Sequence, residues 1–257
     1  MSRFEHYGHC FECVRMERRN GVLEMVLHSD GGPLQWNDTI HTELPEAFYA
    51  VGQDVENKVV ILTGTGDGFI PAIDSGSFHF DPSTPPVALD RIYREGKALI
   101  QNLLNISVPM IAAVNGPARV HAELALFCDI VLASEHAEFQ DSHMQWGIVP
   151  GDGTHIAFPM AFGVNRGRFL SLTSAVVTAQ QALEWGGVVE VLPPEKVRAR
   201  AWEIAESLAQ KPLLALRYAR EALTVEIQRQ IRAHLSLGLA LEGFSSGYGS
   251  WGSTLHE

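Results

Sequence analysis

The sequence predicts an α/β fold with largely parallel strand pairing, followed by a helical C-terminal region, and three observations carry this. Short apolar runs (VLEMVL, KVVILTG, VPMIAAV and CDIVLAS) recur between stretches of helical character. In ALDRIYREGKALIQNLLNI the apolar residues fall three and four apart, which gives one face of an amphipathic helix. From about Pro194 to Phe244 the pattern is helical almost throughout. Strands alternating with helices are the signature of a sheet whose faces helices cover.

In chain order, FECVRMERRN and VLEMVLHS flank Asn20-Gly21, the pair that favours a two-residue hairpin turn. The polar loop DGGPLQWND leads into a helix from about Thr39 to Val51. KVVILTGTG is a buried strand ending in glycines, GFIPAIDSGSFHF is irregular, and DPSTPPV is a proline-rich loop before the amphipathic helix. VPMIAAVNGP is the next buried strand, HAELALF a short helix and CDIVLASEHAEF another strand. After Gly153 the pattern is mostly helical, apart from a short VVEVL strand. The expected division is a core over residues 1–193 and a helical oligomerisation region over 194–257, because a helical tail with little sheet to cover packs on a neighbour. No internal repeat is visible in the sequence.

Composition narrows the function. The 257 residues are 46% hydrophobic and 19% charged, enough to bury a full core. A net charge of -11 repels phosphate backbones and argues against nucleic acid as a partner. The N-terminus is too polar for a signal peptide, and no stretch approaches the roughly 18 apolar residues of a membrane span. A cytoplasmic protein is therefore expected. Cys10, Cys13 and Cys128 do not form a disulfide framework. His6, His9, Cys10 and Cys13 lie close in sequence, but no second ligand pair follows them, and no metal is expected.

The stretch QDSHMQWGIVPGDGTH, residues 140–155, concentrates the chemistry. Its Pro-Gly turn closes an apolar run and opens a helix, with Asp152 where that helix begins. Asp152 is either a helix cap or the carboxylate that orients His143, and one carboxylate has acceptor sites for both. His155 falls inside the helix and reads as structural.

KVVILTGTGDGFIPAID, VPMIAAVNGPA, CDIVLASEHAEF and WGIVPGDGT, in that order and spacing, resemble the crotonase (enoyl-CoA hydratase/isomerase) superfamily over nearly the whole chain. The resemblance implies a crotonase-like ββα spiral core, a C-terminal helical trimerisation region, and a homotrimer or dimer of trimers. The departures from the superfamily pattern are informative. Val120, His121 and Ala122 stand where glycines are expected, His143 stands where many hydratases have a glutamate, and Glu123 aligns with another hydratase glutamate.

Together these departures resemble the branch of 6-oxocamphor hydrolase and related β-diketone hydrolases. That branch implies hydrolytic carbon–carbon cleavage of a small cyclic 1,3-diketone to a keto acid, a retro-Claisen step, with no cofactor, neither CoA nor metal. The expected site is His143 as base, Asp152 as its partner, His121 as enolate donor, and Glu242 in LSLGLALEGF beside the base. Trp36 is expected to donate its indole N–H to a carbonyl, with Phe78, Met144, Trp146 and Ile70 as apolar walls. A CoA-dependent hydratase, isomerase or thioesterase is the alternative, and it would call for backbone oxyanion glycines and a basic patch. A non-catalytic scaffold would leave His143 and Asp152 apart and remote from any cavity. No Gly-x-Ser-x-Gly elbow is present, which disfavours a serine hydrolase.

Overall fold

The computed structural model describes residues 4–74, 76–77 and 86–246. A short helix, Phe4–Tyr7 (α1), precedes the antiparallel pair Val14–Arg19 (β1) and Val22–Leu27 (β2). Arg19 lies opposite Val22, so Asn20 and Gly21 alone make the turn, with φ of 53° and 81°. This is the left-handed pair that Asn-Gly adopts with little strain.

A strand–short strand–helix unit then repeats. β2 is followed by Gln35–Trp36 (β3) and Asp38–Gln53 (α2), and Val59–Gly64 (β4) by Ala72–Ile73 (β5) and Pro86–Asn105 (α3). Met110–Val114 (β6) is followed by an isolated bridge at Ala118 and by Glu123–Leu126 (α4). Ile130–Ser134 (β7) leads to Glu138–Phe139 (β8), a 3-10 turn at His143–Trp146, and helices Thr154–Phe162 (α5) and Val164–Thr173 (α6). Val177–Thr178 (β9), Ala179–Trp185 (α7), Glu190–Leu192 (β10), Pro194–Ala209 (α8) and Leu213–Ser246 (α9) follow.

The long strands form one sheet in the order β1-β2-β4-β6-β7-β10, parallel from β2 onward. The short strands make a second, narrow layer. β3 pairs with β5, Ala118 bridges Ile70 and Phe139, and β8 pairs with β9. This is the ββα spiral expected from the sequence. Its parallel strands read as continuous apolar runs because they are covered on both faces.

Two packing clusters explain that cover. One face packs against the narrow layer and α2 to α5, through residues such as Met25, Leu62, Ala112, Phe48 and Leu103. On the other face Val22, Val59, Ile61, Ile111, Ala113 and Leu132 meet Val197, Ala201, Trp202 and Ala205 of α8. α8 begins at Pro194. However, α8 is a layer of the core and not a tail with little sheet to cover: its residues four apart bury one stripe on the sheet. Glu24, fully buried in β2, fastens it by accepting from Arg198 Nε at 2.6 Å and Trp202 Nε1 at 3.0 Å.

α9 packs on α3 and α5 and leaves Leu214, Tyr218, Leu223, Val225, Leu237, Leu241 and Phe244 exposed. Gly151 and Gly238 bring α9 close to the loop before α5. A Cβ on Gly238 would lie 2.4 Å from the Gly151 carbonyl oxygen, so the two backbones touch. Among the described residues no helix is long and apolar enough to cross a membrane.

Candidate active site

The cavity opens where segments that follow the carboxyl ends of the strands converge, the usual place for a site in an open parallel sheet. Trp36 and His41 come from β3 and α2, Arg119 to His121 follow the Ala118 bridge, and Gln140 to His143 follow β8. Asp152 and Thr154 arrive from the loop before α5, and Leu239 and Glu242 from α9. Ile73, Ile92, Leu99 and Trp146 complete a largely apolar wall.

The loop carrying His121 is pinned by its backbone. The amides of Arg119 and Val120 both donate to the Ile70 carbonyl, and Ala118 donates to Glu138 at 2.7 Å. His121 consequently has φ of 50°, a left-handed conformation that would suit the glycine expected there. Holding a histidine in it costs on the order of 1 kcal/mol or more, strain of the kind that collects at functional sites. Its ring packs against that of Trp36, with centroids 3.8 Å apart and a 41° tilt, and Nδ1 lies 2.7 Å from Glu123 Oε1 and 3.3 Å from Asp152 Oδ2.

His143 is oriented by a residue that the sequence did not single out. Nδ1 lies 2.8 Å from Asp141 Oδ1, which also accepts the His143 backbone amide at 3.1 Å. Asp141 is itself buried, and Thr154 Oγ1 donates to its other oxygen at 2.6 Å. Asp152, the expected orienting partner, sits instead 3.6 Å from Nε2, beyond direct hydrogen-bond range. Glu242 Oε1 lies 3.7 Å from the same nitrogen. Asp152 thus stands between the two histidines. As a cap it is marginal, since the Thr154 amide reaches Oδ1 only at 3.5 Å and Gly153 holds the N-cap position.

Electrostatics follow from this crowding. Burial opposes a charged ring at His143, but Asp152 and then the Asp141 bond outweigh it, and its pKa lies well above the usual 6.5. Burial likewise opposes charge on His121, yet Glu123 and Asp152 raise it too. Burial also works against ionisation of Asp152, but the two imidazoles hold its carboxyl below the ordinary range. Glu242 is raised by burial, and Glu123 is pushed up to about 7 by burial and then by the charge of Asp152.

Most of the expected residues are brought together: His121, His143, Asp152, Glu242, Trp36 and Trp146 all line the cavity. Met144 does not; it is 40% exposed on the outer side of the 3-10 turn. Ile70 is fully buried core whose carbonyl anchors the His121 loop, and Phe78 lies outside the described residues. His155 packs against Gly238 of α9. His41, missed from sequence because it reads as an ordinary residue of the first turn of α2, lines the cavity and holds Glu95 Oε2 at 2.9 Å through Nδ1.

Two sets, His121–Glu123–Asp152 and His143–Asp152–Glu242, have donor atoms within 4.8 Å of one another. His121 Nδ1 lies 2.7 Å from Glu123 Oε1 and His143 Nδ1 lies 2.8 Å from Asp141 Oδ1, hydrogen-bond distances over which a proton can be held or passed. Near the N-terminus Cys13 is buried while the exposed Cys10 turns its Sγ to the His6 carbonyl. Among the described residues, no three of His6, His9, Cys10 and Cys13 bring ligand atoms together.

The family model for enoyl-CoA hydratase/isomerase matches residues 17–242. The chain is 31% identical over 217 residues, 82% of each sequence, to 1,2-epoxyphenylacetyl-CoA isomerase of Escherichia coli (strain K12). A beta-diketone hydrolase from the cyanobacterium Anabaena sp. PCC 7120, bound to (S)-3-oxocyclohexyl acetic acid, is similar with a TM-score of 0.90 and 47% identity, covering 93% of this chain and 96% of that one. An enoyl-CoA hydratase/isomerase from Mycobacterium paratuberculosis shares the fold at a TM-score of 0.85 and 24% identity, covering 91% and 94%.

Proposed function

The chain belongs to the enoyl-CoA hydratase/isomerase (crotonase) family, and from that premise we propose that it hydrolyses a carbon–carbon bond of a small cyclic 1,3-diketone, giving a keto acid. One observation carries this reading most: an imidazole occupies the backbone position expected of an oxyanion glycine. His121 is held at φ of 50° against Trp36, with Nδ1 turned to carboxylates. The neighbouring Arg119 and Val120 amides are engaged with Ile70. A side chain therefore replaces an amide as the donor to a developing oxyanion, in a cavity whose remaining wall is largely apolar.

The chemistry can be followed atom by atom. Asp141 accepts a hydrogen bond from Nδ1–H of His143, which leaves Nε2 as the basic nitrogen. Asp152 Oδ2 and Glu242 Oε1, at 3.6 and 3.7 Å from Nε2, leave a gap in which a water can donate one hydrogen to Nε2 and the other to one of these carboxyl groups. Nε2 removes a proton from that water as its oxygen attacks one carbonyl. The tetrahedral carbon becomes a carboxylic acid as its bond to the central carbon breaks. The bonding pair passes to the second carbonyl as an enolate, met by His121 and the Trp36 indole N–H. The proton held by His143 then returns to the central carbon, so water is divided between acid and ketone with no other reactant.

The Anabaena protein's bound keto acid suggests a substrate class. Closing its carboxyl carbon onto the ring carbon beside the ketone, with loss of water, gives a bridged bicyclic 1,3-dione. Such a compound is uncharged and compact, as this cavity favours. The exposed apolar face of α9 is what a homotrimer, or a pair of trimers, would cover. A panel of monocyclic and bridged 1,3-diones assayed for acid release tests the reading, with His143→Ala as the inactive control.

A CoA-dependent reaction is the second reading. It is favoured by the 31% identity to an acyl-CoA isomerase and by Glu123 at the position of a hydratase glutamate. Clear saturation transfer from the protein to an acyl-CoA in NMR, without dione hydrolysis, would select it.

A further inference from the structure

Glu123 takes no part in the reaction drawn above, yet its side chain has no access to solvent. It is the first residue of α4, it is fully buried, and its Oε1 contacts His121 Nδ1 at 2.7 Å. Its Oε2 is buried without a hydrogen-bond partner. A lone buried carboxylate oxygen is destabilising unless a proton or a cation compensates it. Here the neighbouring imidazole offers both.

The state of that imidazole decides whether it can serve an enolate. Nδ1 is turned to Glu123 and Asp152, so Nε2 is the nitrogen left for the cavity. If Glu123 is ionised and the ring neutral, the ring proton lies on Nδ1, facing the carboxylates. Nε2 then carries only a lone pair and would repel an enolate oxygen. If the pair holds one more proton, two forms are available. Either the ring is an imidazolium beside a carboxylate, or a neutral carboxyl donates to Nδ1. Nε2 carries a proton in both.

We propose that Glu123 is a positioning residue for the hydrolysis: by sharing one proton with His121 across the Oε1–Nδ1 contact, it keeps Nε2 of His121 protonated and able to donate. This rests on the hydrolytic reading for its purpose, but not for its physics. The pair consumes no proton, because the enolate is held by Nε2–H and carbon is protonated from His143. Burial and Asp152 push Glu123 up to about 7, within the range where a shared proton persists near neutrality. Packing against Trp36 further favours a cationic ring. The charged groups around His121 are Glu123 from α4, Asp152 from the loop before α5, His143 from the 3-10 turn and Glu242 from α9.

The test uses the full-length protein with isotopically labelled histidine, followed by NMR across pH. In the wild type the His121 ring should lose its second proton well above the ordinary imidazole value. In Glu123→Gln, a change that keeps shape and removes charge, that midpoint should fall by about one unit or more. A role in packing alone would leave the midpoint in place, and that result would overturn the proposal. Kinetically, the alkaline limb of kcat should move down with the midpoint while KM changes little; an unmoved limb also counts against it. Should Glu123→Gln fail to fold, the wild type decides alone, because a bare Nε2 on His121 at neutral pH contradicts proton sharing. The NMR measurement needs no substrate, so a protein that hydrolyses no dione would sink the hydrolytic reading while leaving the shared proton tested separately.

Discussion

Nδ1 of His143 lies 2.8 Å from Oδ1 of Asp141, two residues earlier in the chain, and this contact sets which ring nitrogen faces the reaction. The same oxygen accepts the His143 amide, so ring and backbone are fixed by one carboxylate. Asp141→Asn should therefore be severe. The amide can donate to Nδ1, which leaves Nε2 protonated and unable to take a proton from water. A loss of about 10²-fold or more in kcat is expected, the usual size for a general base. Steady-state kinetics check this; near wild-type turnover would show that Asp141 does not orient the base.

Asp152 has a different task, and pH profiles separate the two. Catalysis needs the neutral form of His143, whose pKa is raised well above 6.5, with Asp152 the main charge raising it. Below that raised value the ring is protonated and inactive, so kcat/KM should climb as pH rises through it, and activity at about pH 8 should exceed that at about pH 6. Asp152→Asn removes the charge, so the acid limb should shift to lower pH even though kcat falls. A wild-type limb at the ordinary imidazole value, or one that Asp152→Asn does not move, would contradict this account.

The sequence carried the large strands because parallel strands buried on both faces must be apolar throughout, as Val59–Gly64 and Met110–Val114 are. It also carried the hairpin, because Asn20-Gly21 suits a left-handed turn that most residues resist. The spiral's repetition was invisible. Its second layer is made of pairs such as Gln35–Trp36 and Ala72–Ile73, too short to show a strand period, and the repeated geometry uses no repeated residues. α8 was misjudged as a tail, although Val197, Ala201, Ala205 and Ala209 recur at intervals of one turn.

At the site, the histidines were legible because they replace expected residues in a resembling pattern. Asp141 was not, because the Pro-Gly turn drew the carboxylate role to Asp152. An Asp two residues before a His is nonetheless a local signal, since such a side chain commonly accepts the amide two positions on. The structure shows this bond.

The close approach of Gly151 and Gly238 gives a test remote from the chemistry. A methyl group on Gly238 would press on the Gly151 carbonyl and the His155 ring, each 2.4 Å away. α9 must then move outward and carry Glu242, one turn further on, away from His143. Gly238→Ala should keep its helical circular dichroism yet lose roughly 10²-fold in kcat, the scale of an ångström's misplacement. Unchanged turnover would mean that Glu242 is not needed near Nε2.

Metal removal should leave activity intact. Water activation is assigned to His143 and charge stabilisation to His121 and Trp36, so dialysis against EDTA should not alter kcat. Loss of activity to the chelator with recovery on adding zinc would instead assign His143, Asp152 and Glu242 to a cation.

The most direct measurement is product analysis by mass spectrometry after wild-type turnover of a bridged bicyclic 1,3-dione in heavy-oxygen, deuterated water, with no CoA present. The account predicts a single keto acid carrying one solvent oxygen in its carboxyl group and one solvent deuteron introduced at the carbon between the former carbonyls during the reaction. Recovery of unreacted dione, or turnover only of a CoA thioester, would contradict it.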